Sequence, residues 1–394
     1  MRIAIYHNLP SGGGKRALYE MVKRLASSHE LRVITTSCAE HDFCDVRPYV
    51  QEYQIYPFKP LPLFRSPFGR VNAAIRTIDL YRLDALNQQI AETLDQSNFD
   101  FVFVHNCLIS QAPGLMHYLR TKSVYYCGEP PRNITEPPIS RLYLKRKSIQ
   151  RALDYIDPFP EYYQRALFRF DRAAALGATK VLVNSAYSRE SFYRLYGRFS
   201  TTCYLGVDSD KFHPVETNRS PYVCSVGTLS PNKGFDFLVE SLALIPKNQR
   251  PTLVLICNVI DPSEKAYLEM LAKVHDVQMD IKSKITDDEL VRLYNQAMLT
   301  VYSPIMEPFG LVPLESMACG TPVVGVNEAG VRETILNQVT GILVERDPTL
   351  FANAVICLLL NPNLIQEYGK AGRDNVLRNW TWDKTIRELE FNFN

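Results

Sequence analysis

Two carboxylates, Glu307 and Glu315, stand in the run SPIMEPFGLVPLESMACGTPVVGV with seven residues between them and apolar neighbours on both sides. A carboxylate accepts hydrogen bonds and offers none, so a pair of them suits a ligand rich in hydroxyl groups, such as a sugar or a ribose. The turn Pro308-Phe309-Gly310 leads into a helix signal. Pro313 suits the first turn, Gly320 the position past the end, and Pro322 the stop beyond it. The spacing predicts a helix of about two turns starting near Val312, with Glu315 on its first turn. Amides at the start of a helix lack intrahelical acceptors, so those of Phe309, Gly310, Leu311 and Val312 make an anion site suited to a diphosphate. Taken singly, Glu315 also fits a carboxylate stabilising a helix N-terminus, and Glu307 fits a turn residue. Together, flanking one turn–helix unit, they point to a shared ligand.

Other candidates lie upstream. The segment SVGTLSPNKGFDFLVE (225–240) reads strand, loop, helix, and places Lys233 at the end of the loop before Gly234. An ammonium there reaches a phosphate as a point charge, although solvated lysines are common in loops. The segment NLPSGGGKRALYE sets Gly12, Gly13 and Gly14 between a first strand and a first helix, where backbone can approach a phosphate or sugar closely. It is neither the dinucleotide pattern G-x-G-x-x-G nor a Walker loop, which disfavours an NAD-type oxidoreductase. His105, ending the strand DFVFVHN, is either a cleft residue or a satisfied strand-end histidine. In VYYCGEPPR, Glu129 and Arg132 offer polar contacts, or the stretch is a turn before a Pro-rich loop.

The elements that must position these residues are short apolar runs: 2–6, 31–36, 100–106, 123–127 and 180–185 in the first half, then 222–227, 252–258, 299–303, 322–326 and 341–344. They lack strict alternation, as strands buried on both faces of a parallel sheet do. Helical periods lie between them; in GKRALYEMVKRLASSH, Ala17, Leu18, Met21, Val22 and Leu25 share one face. Strand–helix alternation on both sides of a polar, turn-rich break at 204–221 reads as two doubly wound α/β domains, 1–208 and 209–379, with a C-terminal helix at 380–394 returning to the first. Ligands of such sheets bind beyond the carboxyl ends of the strands, which makes a cleft between facing domains the default site.

The 394 residues exceed one ordinary core. Residues 1–208 carry 27 Lys+Arg against 19 Asp+Glu (+8), and the rest 17 against 23 (−6), so the net +2 hides two unlike halves. Nine cysteines without paired spacing predict neither a zinc site nor a disulfide framework. The opening MRIAIYHNLP has no signal-peptide pattern and no apolar run approaches a membrane span, so the expectation is a cytoplasmic protein. The stretch 139–172 mixes Arg and Lys with Tyr, Leu and Phe. It reads either as a peripheral contact with the inner face of a membrane or as helices with a charged outer face. No recognition motif accompanies the basic charge, which disfavours nucleic acid.

Together these motifs resemble the retaining glycosyltransferases of family four, which have the GT-B fold of two facing Rossmann-like domains. The resemblance covers nearly the whole chain: the glycines at 12–14, VLVNSAYSRESFYRLYG, YLGVDSDKFHP, VGTLSPNKG, EPFGLVPLESMACGTPVVG and GILVE. It implies a hexosyl transfer from a nucleotide-diphosphate sugar to a saccharide or lipid-linked acceptor, with retention of configuration. The donor is a co-substrate; no cofactor or metal is expected. By match, Glu315 would hold the ribose and Glu307 the transferred sugar. The Phe309–Val312 amides would hold sugar and phosphate, Lys233 the departing diphosphate, and Gly13 with Gly14 would close over the donor; the base pocket is expected near 282–290. Two departures stand out: Thr228 where relatives often carry arginine, and Gly128 where they commonly carry histidine. The second leaves open a binding protein of the same fold that has lost turnover.

Overall fold

The computed structural model describes residues 1–65, 68–132, 136, 139–141, 143 and 157–393. The chain divides into two compact units. The first comprises Met1–Pro137, Arg146–Tyr204 and Ile386–Asn394; the second comprises Pro138–Lys145 and Leu205–Thr385.

The first unit is built on a parallel sheet of seven strands: β1 (Arg2–Asn8), β2 (Glu30–Thr36), β3 (Glu52–Tyr56), β4 (Phe101–Cys107), β5 (Ser123–Cys127), β6 (Lys180–Val183) and β7 (Thr201–Thr202). Their order is β3-β2-β1-β4-β5-β6-β7, which reverses direction between β1 and β4. Register pairs Ile5 with Val33 on one side and with Phe103 on the other. The second unit repeats the plan with β8 (Ser220–Val226), β9 (Thr252–Cys257), β10 (Met279–Ser283), β11 (Ala297–Tyr302), β12 (Val323–Val326) and β13 (Gly341–Val344), in the order β10-β9-β8-β11-β12-β13. This is the α/β, doubly wound architecture expected from the apolar runs. The central strands are buried along nearly their whole length; every residue of β4 is buried. The runs missed by periodicity are the edge strands β3, β7 and β10, which are short or half-exposed and read EYQIY, TT and MDIKS.

The division falls at Tyr204–Leu205 rather than after Asp208. Leu205 and Val207 are buried, Val207 forms a parallel β-bridge with Thr381 and donates its amide to the Trp380 carbonyl, and Gly206 lies so close to Thr381–Trp382 that a Cβ there would stand 2.4 Å from the Trp382 nitrogen. The helix Trp382–Phe393 ends in the first unit, where the Phe393 ring centroid lies 4.4 Å from that of Phe101 and Glu390 meets His29 at 3.0 Å.

Of the basic stretch 139–172, residues 142 and 144–156 lie outside the described ones. Arg141 is turned inward on the second unit. Its Nη1 sits 2.8 Å from Asp236, its Nε and Nη2 donate to the fully buried Glu264, and its guanidinium lies over the Tyr267 ring. Its Nη2 also donates to the Pro231 carbonyl at 3.3 Å, and Tyr143 adds a hydroxyl to Glu264. A buried carboxylate needs such partners, because an unpaired one costs several kcal/mol. The helix Phe159–Gly177 buries Asp171, Ala174 and Ala175 and exposes Phe159 and Tyr162. No single helix is long and apolar enough to cross a membrane among the described residues.

Asp171 accepts from the Ala112 amide at 2.9 Å and from the Tyr196 hydroxyl. Burial outweighs both bonds and pushes its carboxyl up to about 7. A carboxyl raised above its unfolded value takes up a proton on folding, so stability falls as pH rises from about 4 to 7 and levels off above. Asp171→Asn should flatten that segment of the stability–pH curve by on the order of a few kcal/mol. Urea titrations at several pH values read it, and an unchanged slope would assign the dependence to other groups.

Candidate active site

Three loops of the second unit gather at the carboxyl ends of β8, β11 and β12. The first follows Val226 through Gly227 and Thr228 into a single 3₁₀ turn, Pro231–Lys233, that ends at Gly234 in the left-handed region (φ 64°). The second follows Tyr302 and carries Glu307, Pro308 and Phe309 to Gly310 (φ 102°), which starts the helix Leu311–Ala318. The third is Asn327–Gly330.

These loops touch backbone to backbone. A Cβ on Gly234 would stand 2.3 Å from the Ser303 carbonyl oxygen, and one on Gly330 would stand 2.1 Å from that of Pro308. Ile305 N donates to Asn232 O at 2.8 Å and Gly330 N donates to Glu307 O at 2.9 Å. Arg346, just past β13, clamps the middle loop. It donates to the carbonyls of Ser303 and Pro304 and makes a two-pronged ion pair with Glu328, both prongs 2.7 Å long. Its guanidinium lies over the Phe237 ring.

Within this frame Lys233 Nζ donates to Glu307 Oε2 at 2.8 Å, and both side chains are 18% exposed. The lysine's stem runs past Gly227, where a Cβ would stand 3.3 Å from Cγ and Cδ. The two residues singled out for catalysis are therefore neighbours, although they lie 74 positions apart. Thr228 shares a hydrogen bond with Ser230, which donates to the Asn232 side chain, while the Asn232 backbone carbonyl accepts from Ile305. Phe309 is buried with its ring against Trp380. Gly310, Leu311 and Val312 stand at the start of the helix, where amides have no intrahelical acceptor.

Glu315 differs from expectation in one respect. The helix opens at Leu311 because Gly310 takes the left-handed turn position, so Glu315 is its fifth residue and lies beyond the first turn. Its carboxylate is nearly buried and accepts from the Tyr294 hydroxyl at 3.0 Å. Burial, and then the Glu315 charge, push the Tyr294 phenol well up and keep it a donor. The stretch 282–290 holds the end of β10 and the start of the helix Asp287–Gln296, whose Asp287 pairs with Lys211.

The remaining candidates belong to the first unit. Gly12 caps the helix Gly13–Leu25, and Gly13 and Gly14 are its exposed first residues. His105 is buried, edge-on to Phe103 and stacked on Tyr126, and burial pulls its imidazole down to about 3. Glu129 and Arg132 pair with each other at 3.2 Å, and Arg132 also pairs with Glu136 at 2.8 Å. Gly128 is pinned by Asn106, which accepts from its amide, and by Asn184, which donates to its carbonyl; a Cβ there would meet nothing within 4 Å. Sequence reasoning missed Arg346, Glu328, Tyr294 and Arg141. The nearest signal was the position of Arg346 directly after the strand motif GILVE.

Two doubly wound parallel sheets of this order, with the site residues at the carboxyl ends of the second, define a GT-B glycosyltransferase fold. Residues 207–375 match the family Glycosyl transferases group 1. The chain is 30% identical over 241 residues to a GDP-mannose-dependent alpha-(1-6)-phosphatidylinositol monomannoside mannosyltransferase of Mycobacterium tuberculosis, covering 54% of this chain and 61% of that protein. It is 26% identical over 242 residues to the alpha-maltose-1-phosphate synthase of the same organism, covering 54% and 62%. The chain thus spans about three fifths of the length of these curated relatives. Among solved structures, Anabaena HepE in complex with UDP-glucose superimposes with a TM-score of 0.73 at 17% identity, covering 100% of this chain and 99% of that one. Sucrose-phosphate synthase from Thermosynechococcus elongatus gives 0.72 at 19% identity, covering 100% and 98%. At such identities the likeness is one of fold.

The clamp makes a prediction. Removing the guanidinium with Arg346→Met leaves Glu328 and two carbonyls short of partners and should destabilise the second unit by about 2 kcal/mol. Glu328→Gln alone should cost less, and a double-mutant cycle in urea should show a coupling of about 1 kcal/mol. Strict additivity would mean that the pair carries no net interaction.

Proposed function

We propose that the chain transfers a hexose from a nucleotide-diphosphate sugar to a saccharide or lipid-linked acceptor, with retention of anomeric configuration. One observation carries the reading: Lys233, Glu307 and the start of the Leu311–Ala318 helix stand together at the carboxyl ends of β8 and β11. In this reading the helix amides and Lys233 take the diphosphate, Glu307 the hydroxyls of the transferred sugar and Glu315 those of the ribose. Thr228 lines the phosphate loop.

Retention follows from a displacement on one face of the sugar. The bond from C1 to the diphosphate oxygen breaks, the acceptor hydroxyl oxygen bonds to C1 on the same side, and its proton passes to the departing diphosphate. Positioning and electrostatic support of that leaving group do the catalytic work, and Lys233 with the helix amides supplies it without a required metal. The Lys233–Glu307 contact suits this role because the lysine is held in place before the phosphate arrives. A cytoplasmic site of action, with peripheral membrane contact through the basic first half as one route to a lipid-linked acceptor, completes the proposal.

A thermal-shift screen against UDP-, GDP- and ADP-sugars tests it first. A true donor at a hundredfold excess over its Kd should stabilise by about 2.7 kcal/mol. With that donor, Lys233→Ala and Glu307→Ala should each lower transfer by about 100-fold or more while the protein stays folded. Unchanged turnover in both variants would remove these residues from the mechanism, and the absence of a shift with every donor would sink the reading.

A further inference from the structure

At the carboxyl edge of the first sheet lies a second group of basic side chains, one lysine among three histidines, that the donor chemistry does not use. His7 lies near the end of β1, Lys15 on the first turn of the Gly13–Leu25 helix, His41 after β2 and His105 near the end of β4. His7 and Lys15 are fully buried, and His41 is half-buried and gives the group its edge to solvent. The Lys15 ammonium has one hydrogen-bonding partner among the described residues, the His7 ring at 3.4 Å.

Two carboxylates are near enough to be felt, and both are engaged elsewhere. Glu40 accepts from the amides of Asp42 and Phe43, and Asp45 accepts from the backbone and side chain of Arg47. Three buried polar atoms of this region have no hydrogen-bond partner among the described residues: His41 Nε2, His105 Nε2 and Thr35 Oγ1. Register places Thr35 directly beside His7. A buried ammonium surrounded by imidazoles, a hydroxyl and no bonded carboxylate is short of negative charge, and a buried charge is stable only when paired.

We propose that this cluster is an anion site for a phosphoryl group carried by the second substrate, with Lys15 as the principal ligand and His7, His41 and Thr35 as its polar wall. A phosphoryl oxygen supplies the acceptor that the lysine lacks and accepts further from the histidines and the hydroxyl. The inference rests on the transferase reading only in assigning the phosphoryl group to the acceptor. The same chemistry arises from a free sugar phosphate or from a phospholipid headgroup.

The charge environment fits. Burial lowers the Lys15 ammonium to about 8, while Cys44, Asp45 and Glu40 act to raise it and Arg47 to lower it. His7 is held well down by burial and then by Lys15, His105 and His41. Lys15 is therefore a cation below about pH 8 and loses its charge above it, so anion affinity should fall as pH rises through that value. Sulfate, whose own charge is constant over this range, is the clean probe.

The experiment uses the full chain and calorimetry with sulfate, inorganic phosphate, glucose 6-phosphate, and phosphatidylglycerol vesicles set against phosphatidylcholine ones. The expected result is saturable binding of sulfate and phosphate that weakens above pH 8. Lys15→Met should reduce it by about tenfold or more, and His41→Ala by a smaller factor. His41→Ala also serves if the lysine variant fails to fold. Tighter binding of glucose 6-phosphate than of vesicles assigns a soluble acceptor, and the reverse assigns a lipid. The nucleotide-sugar thermal shift, measured on the same variants, should be unchanged, which separates failure here from failure of the donor reading. No binding of any anion, binding that survives both substitutions, or loss of the nucleotide-sugar shift in Lys15→Met would each overturn the inference.

Discussion

The candidate active site depends on backbone-to-backbone contact between loops that end separate strands. Gly234 and Gly330 are placed where any side chain would overlap a carbonyl oxygen, of Ser303 and of Pro308 respectively. That contact fixes the height of the middle loop against its two neighbours, and hydrogen bonds from Ile305 and Gly330 set its direction. Glu307 is therefore held by its own backbone, through the Gly330 amide on its carbonyl, before its carboxylate does anything. Gly234 meets a second demand, a left-handed conformation that ends the turn carrying Lys233. One residue thus positions both members of the ion pair.

Charge is arranged around that frame in two tiers. Arg346 and Arg141 lie behind the loops and neutralise Glu328 in one case, Asp236 and Glu264 in the other, while also gripping the carbonyls of Ser303, Pro304 and Pro231. A guanidinium suits this work because its planar fork serves several acceptors at once. Lys233 and Glu307 form the second tier, joined by one hydrogen bond. A single lysine contact can be exchanged for a ligand at modest cost, whereas the many-toothed arginine contacts behind it stay fixed. The arrangement separates what holds the site from what meets the ligand.

Much of this was legible in the sequence, and the part that was not has a common cause. Ten of the strands announce themselves as apolar runs, nine because a parallel sheet buries both faces of its inner strands and the tenth, the edge strand β13, because its sequence GILV is apolar throughout. The other edge strands, β3, β7 and β10, do not, since polar residues at exposed and half-exposed positions erase the apolar signal. Glu307, Glu315 and the helix start could be read because they lie within one local segment whose turn chemistry is written in Pro313, Gly310 and Gly320. The start was off by one residue, since the left-handed position belongs to Gly310. Arg346 could not be paired with Glu328 and the loop at 303–304, nor Arg141 with Glu264, because nothing local in a sequence marks which distant carboxylate a charge will meet. Arg141 even misled: in a basic, aromatic stretch it reads as surface, yet it is buried against acids.

The charge asymmetry of the halves carries a related lesson. The second half has the acidic balance, yet it holds the proposed diphosphate site. The conflict dissolves once the acids are placed. Asp261 and Asp347 cap helices, and Asp287, Asp288 and Glu289 occupy the first turn of another, where the helix field favours them. Asp236, Glu264 and Glu328 are matched by arginines. What faces the ends of β8 and β11 is a lysine, a carboxylate already paired with it, and the positive end of a helix. An anion answers to that local field and not to the sum over the half, because charges farther away than about 10 Å are largely screened by salt. The basic first half obeys the same rule: the proposed anion site there turns on the buried Lys15, whose neighbouring acids are spoken for, while exposed arginines such as Arg165 and Arg194 pair along their own helices.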